Sequence, residues 1–294
     1  MSNLKERYIN PLTDFGFKKI FGTELNKILL IDFLNQILPK KHKIKDLTYS
    51  QSEHLGNSDI DRKAIFDLFC IGQSGERFVV EVQKAKQNYF KDRSVYYASF
   101  PIQEQSKKGN WDFKLAPVYT IGILDFIFED HKTDEDFLHI VELKNQRCEV
   151  FYDKLKFVYI ELPKFKKTED ELETQFDKWL FILRYLSNLD HKPKKLQNKI
   201  FKKLFESAEI AKFSSEERLA YEKSLKYYRD IKNVVDTSKE EGIIEGIEKG
   251  IEQGIEQGVD KRNIEIAFQM KKNNEPLEKI IRYTNLTKQQ IEDL

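Results

Sequence analysis

Ala64-Ile65-Phe66-Asp67-Leu68-Phe69-Cys70-Ile71, the turn Gly72-Gln73-Ser74-Gly75, and Arg77-Phe78-Val79-Val80-Glu81-Val82-Gln83 form the stretch on which the reading of this chain depends. Two apolar runs separated by a short glycine-bearing segment read as a β-hairpin. Each run carries a carboxylate where a buried strand would carry an aliphatic residue, and a buried charge must be neutralised, hydrogen-bonded or bound to a cation. Alternation places Ile65, Asp67 and Phe69 on one face, and likewise Val79, Glu81 and Gln83. With Ile71 and Arg77 flanking the turn, Asp67 lies opposite Glu81. Like charges facing each other across a ladder are destabilising, and a divalent ion between them turns the repulsion into a site. The pair therefore reads as a holder of Mg²⁺. A one-residue slip in register would put the two carboxylates on opposite faces. The plainer reading makes them edge-strand carboxylates facing solvent. Against it, Phe66, Leu68, Cys70, Phe78, Val80 and Val82 are apolar on one face and Ile65, Phe69 and Val79 on the other, as in a strand covered on both sides.

A chain of 294 residues can hold one large domain with appendages, or two domains. Hydrophobic content of 40% and aromatic content of 13% argue for a globular body rather than a disordered one. Lys+Arg 50 against Asp+Glu 49 leaves a net charge of +1, so any nucleic-acid surface must be local. Cys70 and Cys148, far apart in the chain, fit a reducing compartment and give neither a disulfide framework nor a zinc pattern. No signal peptide precedes Arg7, and the most apolar run, Ile28 to Leu34, is too short and too charged to span a bilayer. The expectation is a soluble cytoplasmic protein.

Thr13 to Gly22 opens on an N-cap candidate and closes on glycine, as a short helix would. A helix follows from about Glu24 to Leu38, with Leu25, Ile28, Leu29, Phe33 and Ile37 at helical spacing. The basic cluster Lys40-Lys41-His42-Lys43 is either a solvated loop or a phosphate contact, and leads to a strand between Ile44 and Ser50. Beyond the hairpin, Lys84 to about Lys108 is helical in pattern, with Phe90, Val95, Tyr97 and Ile102 as core candidates. Arg93 lies two turns into this helix, where it either points toward the carboxylates or sits on the surface. Gly109-Asn110 breaks the helix, Leu115 to Leu124 reads as a buried strand, and Phe137–Glu142 and Lys156–Leu162 extend the sheet. The strand–helix–strand order implies a mixed sheet with helices on its faces.

From Thr168 the pattern is helical, with capping boxes at Thr168–Glu171 and Ser214–Glu217. The second opens a helix to about Val235. Trp179 and the Tyr227-Tyr228 pair read as packing residues. Gly242, Gly246, Gly250, Gly254 and Gly258 then mark a four-residue repeat, with Ile243, Ile247, Ile251, Ile255 and Val259 in step. Each glycine costs about 1 kcal/mol against alanine in a helix, so the segment is either a semi-helical spacer or a stripe for close helix pairing in a homo-oligomer. Short helices at Ile264–Met270, Pro276–Tyr283 and Thr287–Leu294 form a helix-turn-helix or a plain helical hairpin.

Several of these stretches, in this order, resemble the PD-(D/E)xK nuclease family transposases, also called recombination-promoting nucleases. They are Thr13–Gly22, Asp67, Glu81-Val82-Gln83, Arg93 with Tyr96-Tyr97, Glu161-Leu162-Pro163-Lys164-Phe165, the Gly/Ile/Glu repeat, and Tyr283 to Thr287. The resemblance implies an α/β, restriction-endonuclease-like core over 1–165, a helical subdomain over 166–238, the repeat over 239–262 and a helical tail over 263–294. It also implies an Mg²⁺-dependent DNA endonuclease (Mn²⁺ being the alternative ion) acting in recombination or transposition and leaving 5′-phosphate and 3′-hydroxyl ends. Asp67 and Glu81 would be metal ligands, with the Val82 carbonyl a third, and Gln83 would stand where the superfamily has lysine. Glutamine can hydrogen-bond a water but cannot offer positive charge to a developing phosphorane. That charge must come from a second metal or from Lys84, Lys86 or Arg93. Lys84 lies on the wrong face unless the strand ends at Gln83, and Asp14 is a candidate additional acid.

Two rival readings remain at this level. One is a DNA-binding or interaction module that keeps the fold with weak or no catalysis. The other is a structural partner protein whose repeat is the working surface.

Overall fold

The computed structural model describes residues 6–38, 43–50, 53–54, 64–106 and 112–294. Thr13 opens helix α1 (Asp14–Phe21), its hydroxyl accepting the Gly16 N–H at 3.0 Å. A 3₁₀ turn, Glu24–Asn26, precedes α2 (Lys27–Ile37). That turn resets the helical phase of α2. Leu25 and Ile28 are exposed, and Leu29, Leu30, Phe33, Leu34 and Ile37 form the buried face instead. Lys40, Lys41 and His42 of the basic cluster lie outside the described residues.

The main sheet has six strands in the order β1-β4-β5-β6-β8-β7. These are β1 (Leu47–Tyr49), β4 (Leu68–Gly72), β5 (Arg77–Gln83), β6 (Val118–Leu124), β7 (Leu138–Lys144) and β8 (Val150–Glu161). The small strands β2 (Glu53–His54) and β3 (Ala64–Ile65) pair separately. β5, β6 and β8 run parallel, and the other pairings are antiparallel. Helix α3 (Phe90–Gln103) makes the crossover from β5 to β6, as a parallel connection requires. It ends before Lys108, and Gly109-Asn110 falls outside the described residues.

The sheet is covered on both faces, which accounts for its doubly apolar strands. Leu68, Cys70, Phe78, Val80, Val82, Ile121, Ile123, Val158 and Ile160 join the main core with α1, α2, α4 (Gln175–Tyr185) and α5 (Lys199–Ala208). On the other face, Phe69 and Val79 pack with Phe66, and Phe157 and Tyr159 pack with Phe90 and Ala98 of α3. α3 buries Phe90, Ser94, Ala98 and Pro101, so Val95 faces outward. The Thr168 box caps only a 3₁₀ turn, Glu169–Glu171, and α4 has its own box from Thr174 and Asp177.

Helix α6 does not stop near Val235. It runs unbroken over Ser215–Lys272, through the whole repeat. Contacts within the chain define two compact units, Met1–Lys232 and Asn233–Leu294. In the second, Ala267, Ile280 and Ile291 form a small core shared with α7 (Leu277–Thr284) and α8 (Lys288–Glu292). Among the described residues no helix is long and apolar enough to cross a membrane.

Candidate active site

The β4–β5 register pairs Ile71 with Arg77 and Leu68 with Val80, as the turn length requires. Carried one step further, that register would set Asp67 opposite Glu81. The run from Ala64 to Ile71 is not one strand, however. β3 leaves to pair with β2, and Asp67 lies in a bend between β3 and β4. The bend directs Asp67 onto the end of β5, where its Oδ2 accepts the Val82 N–H at 2.6 Å. Glu81 keeps its strand position, on the α3 face beside Val79.

Both carboxyl groups are held above the usual carboxylate range. Glu81, 9% exposed, is pushed up to about 8 by burial and then by the Asp67 carboxylate, with Arg93 and the Asp67 N–H opposing. Asp67 is raised chiefly by burial, against the Val82 N–H, with Asp14 adding to the rise. Glu81 Oε1 is buried without a hydrogen-bond partner among the described residues. Two acids that resist ionisation together, one with an orphaned oxygen, are the donor set a hard cation relieves. Gly122 of β6 pairs with Glu81 and presents no side chain beside it, and a Cβ there would meet Tyr159 at 3.1 Å.

Arg93 sits on the carboxylate side of α3. Its Nη2 donates to Gln83 Oε1 at 2.5 Å, its Nη1 donates to Gln87 Oε1, and the guanidinium lies over the Phe90 and Tyr97 rings. Gln83 Nε2 donates to the Ala85 carbonyl at 3.0 Å, so the amide is fixed at both ends. β5 ends at Gln83, which frees Lys84 from strand alternation. Its ammonium shares the field of Asp14 and Asp67, and burial lowers its pKa against their pull. Lys84 Nζ also lies 5.1 Å from the centre of the Tyr227 ring. Tyr227 is exposed, not the packing residue its pattern suggests, whereas Tyr228 and Trp179 are buried. Asp14 pairs with Lys18 at 2.9 Å, and Lys86 turns outward to Glu129 at 2.7 Å. Asp67, Glu81, Gln83, Arg93 and Lys84 thus converge, with Asp14 acting on them through its charge and Lys86 turned away.

The model of the PD-(D/E)XK nuclease family transposases matches residues 11–238, a span that includes the hairpin, α3 and the first turns of α6. The chain belongs to that family. The mixed six-stranded sheet with flanking helices agrees with this membership. No curated protein and no solved structure gives a significant match. Membership points to a function in nucleic-acid cleavage or transposition.

A second cluster escaped the sequence reading. His131, His139 and Glu161 bring one ligand atom each within 4.8 Å of one another. They come from a 3₁₀ turn after β6, from β7 and from the end of β8. The signal present in the sequence was Glu161 closing the apolar run Phe157 to Ile160, which repeats the anomaly of Asp67 and Glu81.

Proposed function

We propose that the chain is an Mg²⁺-dependent DNA endonuclease acting in recombination or transposition, with Asp67 and Glu81 as metal ligands, the Val82 carbonyl as a third, and Gln83 and Arg93 beside them. The supporting observation is the neighbouring Asp67–Glu81 pair, whose carboxyl groups resist ionisation and whose Glu81 Oε1 is buried with no hydrogen-bond partner among the described residues. A divalent ion held there supplies Lewis acidity and neutralises phosphate charge; Mn²⁺ would serve likewise.

The protein's own groups account for the rest. Arg93 fills the electrostatic place of the missing lysine. Its guanidinium is anchored on Gln83 Oε1 and opposes the rise in the Glu81 pKa, so its charge reaches the acidic pair. Gln83 retains one N–H and one lone pair with which to orient a water. Lys84, whose ammonium shares the field of Asp14 and Asp67, would meet a backbone phosphate.

The test is incubation of the full chain with supercoiled plasmid in Mg²⁺, Mn²⁺ or EDTA, beside Asp67→Ala. Nicking that requires both the metal and Asp67 supports the enzyme. Folded protein that binds DNA but cuts under neither metal replaces this reading with a DNA-binding module.

A further inference from the structure

We infer that His131, His139 and Glu161 form a separate site for a transition-metal ion of the zinc class. Glu161 is wholly buried at the end of β8 and carries four donors on its two oxygens. Oε1 accepts the Phe128 N–H at 2.7 Å and faces His131 Nδ1 at 3.2 Å. Oε2 pairs with Lys164 Nζ at 2.7 Å and faces His139 Nε2 at 3.2 Å. Donor atoms on one tetrahedral ion, with bonds of about 2.0–2.1 Å, lie roughly 3.3 Å apart. The two imidazole–carboxylate separations already have that value. An ion between them replaces the two imidazole donors and leaves Phe128 N–H and Lys164 on the remaining lone pairs of the carboxylate.

The outer nitrogens point to the same arrangement. His131 Nε2 lies 3.9 Å from Asp130 Oδ2, and His139 Nδ1 lies 3.9 Å from Asp134 Oδ2. When a metal takes the inner nitrogen, the ring proton moves to the outer one; a carboxylate lies 3.9 Å away on that side of each ring, that of Asp130 shared with Lys91. Such outer partners orient ligating histidines and raise their basicity. The rings already lie side by side, tilted by 31° with centres 4.1 Å apart. Beside the cluster, Asp134 and Lys164 also line an open cleft of about 660 Å³.

Imidazole donors favour zinc-like ions, whereas the oxygen-only Asp67–Glu81 pair suits magnesium. The two sites therefore differ in metal as well as in place. Gln83, Leu124 and Glu161 are in register across β5, β6 and β8, so both sites lie at the C-terminal end of these parallel strands. An ion at Glu161 would fasten the turn after β6, which also carries Glu129 and Asp130, the partners of Lys86 and Lys91.

The full chain, stripped with EDTA, is titrated with Co²⁺ followed by visible absorption, then with Zn²⁺ against a chromophoric chelator. The expected result is one equivalent bound, with an absorption band of tetrahedral type, unaffected by excess Mg²⁺ or by Asp67→Ala. Asp134→Asn weakens binding about 10–100-fold, and His131→Ala weakens it further. His139→Gln, which retains an N–H donor for Glu161 and hence the fold, does the same. His191→Ala, at an exposed histidine, changes nothing. Absence of Co²⁺ and Zn²⁺ uptake by folded wild-type protein overturns the inference, as does uptake that survives both His131→Ala and His139→Gln.

Discussion

At the scale of single residues, Glu81 makes the clearest commitment. In the unfolded chain it ionises near its ordinary 4.5, and in the metal-free fold only near 8. Between those values the native state holds the extra proton, so stability falls as pH rises through the window. In EDTA, the melting temperature of the wild-type protein should drop from pH 4.5 toward pH 8 relative to that of Glu81→Gln, the gap levelling off above about 8. A gap that is constant across the window would mean that Glu81 ionises normally. Arg93 makes a kinetic commitment. Arg93→Ala should lower metal-dependent plasmid nicking by about 10²–10³-fold, the usual cost of one preorganised donor to developing charge. Arg93→Lys, which keeps the charge but not the fork that holds Gln83, should fall between that variant and the parent.

At the scale of elements, α1 stands on a backbone constraint. A Cβ on Gly16 would lie 2.1 Å from the Asn10 carbonyl oxygen, a backbone atom that cannot swing away. Gly16→Ala should therefore destabilise the fold by about 1–3 kcal/mol in denaturant melts, as overpacking does. The hairpin register was legible in the sequence because turn length and alternation fix it. The bend at Asp67 was not, because it depends on β3 pairing with β2, a contact between segments whose pattern says nothing about partners. Leu25 and Ile28 misled because a 3₁₀ turn sets the phase of α2, and helical periodicity assumes a single phase. His131 and His139 were unreadable as a pair because two strand ends and a turn bring them together, with no spacing in the chain to announce it. The helix over the repeat is the reverse case. Its local propensity is poor and its side chains are exposed, yet the chain continues through it. Replacing Gly242, Gly246, Gly250, Gly254 and Gly258 with alanine meets no steric obstacle. Each change should stabilise the helix by about 1 kcal/mol, visible as a higher melting temperature of the far-ultraviolet helical signal.

At the scale of the whole molecule, the site and the repeat fall in different compact units, so their properties should separate. Deleting residues 243–258 should leave Co²⁺ uptake and Mg²⁺-dependent nicking unchanged. If the glycine stripe pairs copies of the chain, the same deletion lowers the number of chains per particle measured by light scattering; an unchanged number leaves the segment a spacer. Between Gly242 and Val259 every side chain is exposed, so the number of repeats is not tied to packing within the chain. One four-residue unit more or less lengthens the helix by about 6 Å and turns it by about 40°. The segment thus works as a screw thread: the tail it carries advances and rotates together, in fixed steps, each time the unit is copied or lost.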